Sequence, residues 1–580
     1  MSGVGQDSRQ ATVTPAPGGP PDPPGHGFTE SQQAGVAAVI GLAQVAAANA
    51  PPAATQPGTP APDPLPATGA QATREHKGPG LAHPQVLLLI AILTVQALLS
   101  LRLVWSNTAY IDEATYLWGG HLEIAHWLHG TSVPPFQTWL SGAPVIYPPI
   151  GALAVSIGGV VGARILSLVF MLGVTALLWG ISLRLFGSRA AFFAAAIFAV
   201  LGPTQFLGAL ATYDALALLL MATATWCVVA ARDHRDSTVL IVLAAVVLAL
   251  ANATKYATTL FDPVVVALAA LVIADKRGTK PALGRAGYLA ALVAALVAAL
   301  LALGGPLYLS GVMYTTLARA AGDNSPLLVL ENSAKWVGVV WVLAWIGVIM
   351  CVRRGTRAQV MLLAVLATAG LLAPMEQARI HTITSLHKHV DFGAWLAAPA
   401  AGYALAQLSR ISKHRSLNAL AAAFVAVVAV VPAGMVGLAQ AKILYNGWPN
   451  SAAVMTRLTA LTRDYPGQYL AEDYDIPAYY LESSVPWPRW SDTWFFSYRV
   501  PGTRRSLTGA AAYRQAIDRH YFSLVLLDFG ATPRLDSQIT ADLQQAGGYQ
   551  IVAVMPSSSG QYTIWAHRPD QLPGQPRGHS

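Results

Sequence analysis

The chain carries little charge for its size. Of its 580 residues, 11% are charged and 54% are hydrophobic, whereas soluble domains carry about 25% charged residues. This balance excludes an ordinary soluble protein and predicts a polytopic membrane protein. Cysteine is also scarce, because Cys227 and Cys351 are the only two. Both lie in apolar runs typical of small core residues, so they indicate no redox compartment.

Several motifs are missing as well. The sequence has no Walker-type loop, no nucleotide-sugar domain, no internal repeat and no cleavable signal peptide with a basic first region. The net charge of +8 does not indicate nucleic-acid binding, because much of the Lys and Arg lies in short loops on one side of the predicted spans. We therefore expect no nucleic-acid partner.

Residues 1–84 are rich in Pro, Ala, Gly, Gln and Thr. Such a segment cannot bury enough apolar surface to offset the entropy cost of ordering, so we predict a disordered cytoplasmic tail. Within it, 34–50 is apolar but dominated by Ala and Gly, which favours a transient helix over a span. A second disordered tail is predicted for 569–580.

Long apolar runs predict about eleven membrane helices in residues 85–441, because each run can cross a hydrocarbon core about 30 Å thick. The predicted spans are 85–105, 163–184, 190–210, 215–231, 237–254, 259–274, 287–310, 337–352, 358–374, 391–408 and 417–440. The stretch 150–162 is apolar but short and Gly-rich, so we interpret it as an interfacial or re-entrant piece.

Basic residues predict the orientation of these spans. They gather in loops on alternate turns of the chain, and loops of this kind face the cytoplasm. The groups are Arg184 and Arg189; Arg232, His234 and Arg235; Lys276, Arg277 and Lys280; Arg353, Arg354 and Arg357; Arg410, Lys413, His414 and Arg415. The protein is thus predicted to span the plasma membrane, with its N-terminus in the cytoplasm and its C-terminal region on the extracytoplasmic side.

Residues 442–568 contain no apolar run long enough to span, but many Tyr, Trp and Pro. The stretches 468–471, 522–528, 551–554 and 562–566 have the pattern of strands, and 509–520 that of a helix. We therefore predict a small extracytoplasmic α/β domain.

Asp112 and Glu113 follow the first span directly. Adjacent carboxylates repel, which favours the tuning of one of them as a base. The alternative is that both serve the dipole at a helix N-terminus. Their place at the outer end of a span, in a region where acids are scarce, favours function.

Asp214 and Lys255 also fall in predicted outer loops. Asp214 is either a helix cap or a member of the site, and the two roles are compatible. Lys255 either extends to the lipid headgroups or binds an anionic partner, which its departure from the positive-inside pattern favours.

The loop 375–391 holds Arg379, His387 and Lys388. These residues could clamp a phosphate through charged donors, or they could belong to a solvated loop. Arg319 and Lys335 are weaker candidates for the same task.

The order of these motifs resembles that of the GT-C glycosyltransferases, in particular the protein O-mannosyltransferases and the bacterial aminoarabinose transferases of lipid A. The resemblance covers about 85–440. It rests on the Asp-Glu pair, Tyr-Pro-Pro at 147–149, Ala-Arg at 163–164, Thr-Tyr-Asp-Ala at 212–215 and Thr-Lys-Tyr at 254–256.

The resemblance implies inverting transfer of mannose or a related sugar from a polyprenyl-phosphate donor to a cell-envelope acceptor. In that role Asp112 is the base, Glu113 and Asp214 support it, and Lys255 approaches the phosphate. Tyr147 and Tyr256, together with Arg379, His387 and Lys388, are assigned to substrate binding. No metal ligand is predicted, and a requirement for a divalent metal is left open.

Two other functions remain as alternatives. A transporter or flippase for a lipid-linked or anionic solute would place charge near the bilayer midplane, commonly within paired repeats. A non-catalytic membrane protein could instead bind an envelope polymer through its outer domain. The charges at outer loop positions favour the enzyme.

Overall fold

The computed structural model of the chain describes residues 83–233, 237–557 and 560–568. The predicted disordered segment 1–84, with its apolar stretch 34–50, lies outside the described residues except for its last two positions. The predicted tail 569–580 also lies outside them.

The membrane domain is a helical bundle. Within the described residues, nine helices are long and apolar enough to cross a membrane, which confirms the predicted fold class. Counting the shorter ones, the α-helices of this domain are α1 (His83–Val104), α2 (Ile111–His129), α3 (Phe136–Trp139), α4 (Tyr147–Phe186), α5 (Ser188–Ala199), α6 (Gly202–Leu207), α7 (Tyr213–Ala230), α8 (Ser237–Thr254), α9 (Asp262–Arg277), α10 (Thr279–Thr315), α11 (Pro326–Val352), α12 (Arg357–Arg379), α13 (Leu386–Leu408) and α14 (Arg415–Tyr445).

Two of the eleven predicted spans depart from the other nine. The span predicted at 190–210 is divided between α5 and α6, and Pro203 lies in the first turn of the short helix α6, where proline is well tolerated. The span predicted at 391–408 belongs to α13, whose first turns carry Lys388 and Asp391. Because α13 packs against α5, α11 and α12, these polar turns lie inside the bundle.

The stretch 150–162, predicted as an interfacial or re-entrant piece, spans a break in α4. Two helical segments, 147–157 and 160–186, meet where the backbone of Gly158 and Gly159 is non-helical. Gly159 has a φ of +60°, a conformation that glycine adopts without strain, and a Cβ on Gly162 would lie 2.5 Å from the Ala154 carbonyl oxygen, so the chain turns sharply here. A separate short helix therefore precedes the span, and its placement at the membrane interface stays a prediction.

Helix α2 carries the acidic pair in its first turn and packs against α4. The two helices approach closely at Gly120, where an added Cβ would lie 1.9 Å from the carbonyl oxygen of Pro148. This approach holds the middle of α2 against α4, and it thereby limits where the first turn with its two carboxylates can lie.

The C-terminal region forms a small α/β domain, as predicted. Its elements are α15 (Ala452–Asp464), β1 (Gln468–Ala471), α16 (Asp475–Tyr480), β2 (Trp490–Ser491), β3 (Ser497–Arg499), β4 (Ser506–Thr508), α17 (Ala510–Asp518), β5 (Phe522–Leu527), α18 (Pro533–Ala546), β6 (Tyr549–Ser557) and β7 (Gly560–His567). The main sheet has the order β2-β1-β5-β7-β6, with β1 parallel to β2 and β5. Strands β3 and β4 form a separate antiparallel hairpin, which their short patterns did not predict.

This domain packs on the helix that carries the acidic pair. Helix α16 contacts α2, and the rings of Trp118 and Tyr474 meet edge to face at 5.9 Å. The indole N–H of Trp487 donates to the carbonyl of Ser132, beyond the end of α2, at 3.1 Å. The domain is therefore held beside the end of the bundle that carries the acidic pair.

Candidate active site

A cavity of about 580 Å³ opens where α2, α10, α12 and α13 meet. It brings together residues that are far apart in the sequence. Of the predicted site residues, those that line it are Asp112, Lys255, Tyr256, Arg379 and Lys388.

Asp112 lies at the wall of this cavity and is paired. Its Oδ2 accepts a hydrogen bond from Nζ of Lys388 at 2.5 Å. The lysine side chain is 4% exposed, whereas that of Asp112 is 29% exposed. One carboxylate oxygen is thus held by a buried cation while the side chain stays accessible from the cavity.

Glu113, the adjacent acid, has a different environment. It is fully buried and forms a two-point ion pair with Arg164 of α4, at 2.8 and 2.7 Å. Its oxygens also accept backbone N–H groups of Tyr110 at 2.9 Å and Ala211 at 2.7 Å. Glu113 therefore joins α2, α4 and the loop before α7, and it does not line the cavity.

Arg164 has every donor of its guanidinium occupied. Besides Glu113, it donates to the carbonyls of Val104, Asn107 and Thr108 at 2.8, 2.8 and 3.0 Å. These carbonyls lie at the end of α1 and in the loop that follows it. Because a buried charge is tolerated only when it is paired and hydrogen-bonded, this network fixes the loop from which α2 begins.

Asp214 and Lys255 form a second ion pair, just behind the cavity wall. Asp214, in the first turn of α7, accepts from Nζ of Lys255 at 2.6 Å and from the hydroxyl of Thr212 at 2.9 Å. Asp214 is fully buried and Lys255 is 3% exposed. Lys255 lines the cavity, so it does not extend to the headgroups.

The backbone around Lys255 explains its placement. The residue is extended, with φ −147° and ψ 114°, between α8 and a 3₁₀ turn at Tyr256–Phe261. The loop after α3 pairs with this break, since the N–H of Tyr256 donates to Ser141 at 2.9 Å and that of Ala143 to Ala253 at 2.7 Å. A Cβ on Gly142 would lie 2.1 Å from the Thr254 carbonyl oxygen, so only glycine permits this pairing.

Two aromatic rings lie at the cavity wall beside the ion pairs. Tyr116 and Tyr213 both line the cavity, with ring centroids 4.5 Å apart, and Nζ of Lys255 lies 4.9 Å from the Tyr213 ring. Sequence reasoning missed both tyrosines. Tyr116 follows Asp112 by four residues, a spacing that places two side chains on one helix face, so this signal was available.

The remaining cations differ in whether they are paired. Arg379 is 67% exposed and bound to Glu376 at 2.5 Å. Arg319 also lines the cavity, and in the described part of the chain it forms no ion pair. Lys335, the other weak candidate, pairs with Glu331 at 2.9 Å on the surface and does not line this cavity.

Two predicted site residues lie behind the wall. His387 packs between Phe206, at 5.0 Å, and Trp336, at 6.3 Å. Tyr147 is fully buried and meets Tyr116 edge to face at 6.3 Å. His389, which sequence reasoning did not single out, does line the cavity. Neighbouring residues on α13 point in different directions, so sequence alone could not separate His387 from His389.

The site contains several cationic side chains. Within the described ranges, no group of three His, Cys, Asp or Glu side chains is arranged to hold a metal ion. Around one cavity the arrangement offers the accessible carboxylates of Asp112 and Glu376, the second of them bound to Arg379, together with two buried lysines and Arg319, which has no ion-pair partner in the described residues. Such a set can accept a proton and stabilise a developing anion.

Solved structures with the same architecture identify the class of fold. AglB, the oligosaccharyltransferase of Archaeoglobus fulgidus in complex with an inhibitory peptide and a dolichol-phosphate, matches with a TM-score of 0.53 at 12% identity, over 85% of this chain and 75% of AglB. ArnT of Cupriavidus metallidurans bound to undecaprenyl phosphate matches with a TM-score of 0.50 at 14% identity, over 85% of this chain and 100% of ArnT. The chain therefore has the fold of the GT-C glycosyltransferases, as its motifs predicted.

A sequence family gives the second, narrower match. Residues 143–303 match the family described as dolichyl-phosphate-mannose-protein mannosyltransferase. The matched segment runs from the loop after α3 into the second half of α10 and contains Asp214 and Lys255. No curated protein matches the sequence.

Proposed function

We propose that this chain is a glycosyltransferase that moves a sugar from a polyprenyl-phosphate donor to a hydroxyl of a cell-envelope acceptor. The observation that carries the proposal is the accessible Asp112 in a cavity that also contains Lys255 and Arg319. Base and cations are the two kinds of group that such a displacement needs.

Asp112 is the proposed base. An acceptor hydroxyl in the cavity would lose its proton to the accessible carboxylate as its oxygen bonds to the anomeric carbon. Lys388 holds the other oxygen at 2.5 Å and thereby orients the carboxylate. A base fixed in this way needs no reorganisation during the step, and positioned bases contribute about 10²–10⁴ in rate.

The leaving group is the donor phosphate. When the bond between the anomeric carbon and the phosphate oxygen breaks, the electron pair passes to that oxygen, and a singly charged diester becomes a doubly charged monoester. Lys255 and Arg319 are the proposed donors to this growing charge. Cations that strengthen their contacts as charge develops accelerate the step itself.

Glu113 and Asp214 receive positioning roles in this proposal. Glu113 is committed to Arg164 and two backbone N–H groups, which leaves it no free path to a substrate. Asp214 holds the ammonium of Lys255 and so aims it at the cavity. Tyr147 and His387 support the wall by packing, and Tyr256 contacts substrate.

Relatives support the choice of donor. The family matched at 143–303 is described by a dolichyl-phosphate mannose donor, and two solved structures of this fold contain dolichol-phosphate or undecaprenyl phosphate. We therefore propose mannose or a related hexose or pentose on a polyprenyl phosphate. The acceptor is proposed only by class, as an envelope polymer, lipid or protein.

The proposed orientation places the cavity on the outer face of the plasma membrane. It rests on the clusters of basic residues at one end of the spans, such as Lys276 and Arg277 in the last turn of α9. A reporter fused after Thr279 is expected to be cytoplasmic, and one fused after Arg568 extracytoplasmic. Both reporters on one side of the membrane would contradict this orientation.

A transfer assay tests the function. The purified chain in lipid vesicles is supplied with a panel of polyprenyl-phosphate sugars and with extracted envelope acceptors, and the product's anomeric configuration is read by NMR. We expect transfer from one lipid-linked donor, with inverted configuration, and none from the matching sugar nucleotide. Transfer from the nucleotide alone, or retained configuration, would contradict the proposal.

A further inference from the structure

The C-terminal domain presents two large apolar side chains side by side to solvent. Trp494 is 50% exposed and Phe495 is 74% exposed, just after β2. Their turn is held in place, because Oδ1 of Asp492 accepts the backbone N–H of both residues, at 2.8 and 2.6 Å. The hydroxyl of Tyr513 in turn donates to the Asp492 carbonyl at 3.1 Å. A fixed turn therefore exposes a pair that core packing would normally bury.

Three arginines follow this pair closely in the sequence, on the β3–β4 hairpin. Arg499 is exposed on β3, and Arg504 and Arg505 are exposed in the connecting loop. None of the three forms an ion pair in the described residues, and positions 493–517 contain no Asp or Glu. We name Trp494, Phe495, Arg499, Arg504 and Arg505 the arginine–aromatic surface.

The hairpin is anchored from behind, so its arginines have a defined place. Tyr498 alternates with Arg499 along β3 and is buried, where it meets the ring of Tyr521 at 5.4 Å. Phe496 packs against Tyr513 at 5.1 Å. The outward direction of Arg499 therefore follows from the burial of Tyr498 beside it on the strand.

The chemistry of this surface fits an anionic lipid headgroup layer. Trp and other aromatic side chains favour the boundary between hydrocarbon and water, and each Arg gains attraction to anionic lipid near the surface. The domain is also tethered beside the bundle, because Trp487, seven residues before Trp494, is bonded to Ser132 at the outer end of α2. Tethering removes most of the entropy cost of reaching a surface.

We propose that the arginine–aromatic surface binds anionic lipid headgroups of the adjacent leaflet, with Trp494 and Phe495 entering the interface. The role goes beyond the proposed transfer reaction and does not depend on it. It would fix the height of the domain above the bilayer and hence above the cavity.

Lipid-borne quenchers test this proposal in the full chain. Phe495→Cys, in a background with Cys227→Ala and Cys351→Ala, carries a fluorophore and is reconstituted in nanodiscs that contain spin-labelled phosphatidylcholine. The discs contain phosphatidylcholine alone or with phosphatidylglycerol. The matched control is a fluorophore at Val554→Cys, which is 51% exposed on β6, at the opposite edge of the sheet.

We expect quenching at position 495 to exceed that at 554 and to increase with phosphatidylglycerol. The increase should disappear when Arg499, Arg504 and Arg505 are all changed to Gln, and at about 1 M salt, where screening is nearly complete. Equal quenching at both positions, or quenching at 495 that ignores both phosphatidylglycerol and the arginines, would overturn the proposal. Shielding of the 495 label by a soluble anionic envelope glycan, without quenching by lipid, would overturn it in favour of a polymer site.

Discussion

Asp112 and Glu113 are neighbours in the sequence, yet their surroundings differ. Asp112 is 29% exposed and bound to one lysine, while Glu113 is fully buried and bound to Arg164 at two points. Successive residues of a helix point about 100° apart, so the first turn of α2 directs one acid to the cavity and the other into the bundle. Asp112 is therefore the candidate catalytic residue of the pair, and Glu113 is a structural residue that connects helices of the bundle.

The largest effect is expected from a substitution at Glu113, the buried member of the pair. Glu113→Gln leaves the charge of Arg164 buried without its carboxylate, and breaking a buried pair from one side costs about 3–5 kcal/mol. We expect low abundance in membranes and a clearly lowered Tm. The control is Glu331→Gln, which breaks an exposed pair and should cost at most about 1 kcal/mol. A Glu113→Gln protein with wild-type Tm that loses only turnover would instead make Glu113 the base.

Much of this contrast was hidden in the sequence. Charge is rare in an apolar chain, so Asp112, Asp214 and Lys255 could each be recognised as candidates from position alone. The partner of Asp112 could not, because Lys388 lies 276 residues away and only the bundle brings them together. The same holds for Glu113, whose commitment to Arg164 needs the packing of α2 on α4.

The fold, like the site, was predicted only in part from the sequence. Long apolar runs located the helices, because the hydrocarbon core sets their length. The runs could not show that α13 lies inside the bundle with Lys388 and Asp391 in its first turns. In the C-terminal domain, continuous apolar strands such as β5 were visible, whereas the hairpin of β3 and β4 was too short for a periodic pattern.

The cations of the cavity extend the comparison, because Lys255 is bound to Asp214 whereas Arg319 forms no ion pair in the described residues. Lys255→Met should lower turnover, by about 10² if it stabilises the leaving phosphate, more than it raises the apparent donor constant. Arg319→Gln should lower turnover and raise the donor constant, because Arg319 has no carboxylate partner in the described residues. Lys335→Gln is the control, since Lys335 is paired with Glu331 on the surface and does not line the cavity. Steady-state kinetics decide the matter, and wild-type turnover of Lys255→Met at saturating donor would contradict its role.

A smaller effect concerns the contact between the two domains. Burial raises the pKa of Asp475, at the start of α16, to about 7. A carboxyl whose folded pKa exceeds the unfolded value of about 3.9 binds its proton more tightly when folded. Its contribution to stability is therefore greatest below pH 4 and is lost as the pH rises towards 7.

Asp475→Asn should flatten this dependence. Between pH 5 and 7 we expect the free energy of unfolding of the wild type to fall more steeply than that of the variant, by at most about 1.4 kcal/mol per pH unit from this group. Asp464→Asn, at the exposed end of α15, should keep the wild-type slope. Parallel curves for wild type and Asp475→Asn would show that this carboxyl is not held protonated at the interface.

The turnover of Asp112→Asn tests the central claim most directly. The amide keeps the shape of the side chain and removes its capacity to accept a proton, so turnover per folded molecule at saturating donor and acceptor should fall by about 10²–10⁴. The Tm, measured on the same samples, reports whether the loss of the bond to Lys388 also affects the fold. Asp323→Asn, an exposed acid in the loop after α10, should keep wild-type turnover. Near-wild-type turnover of Asp112→Asn would contradict the account and move the base to another carboxylate.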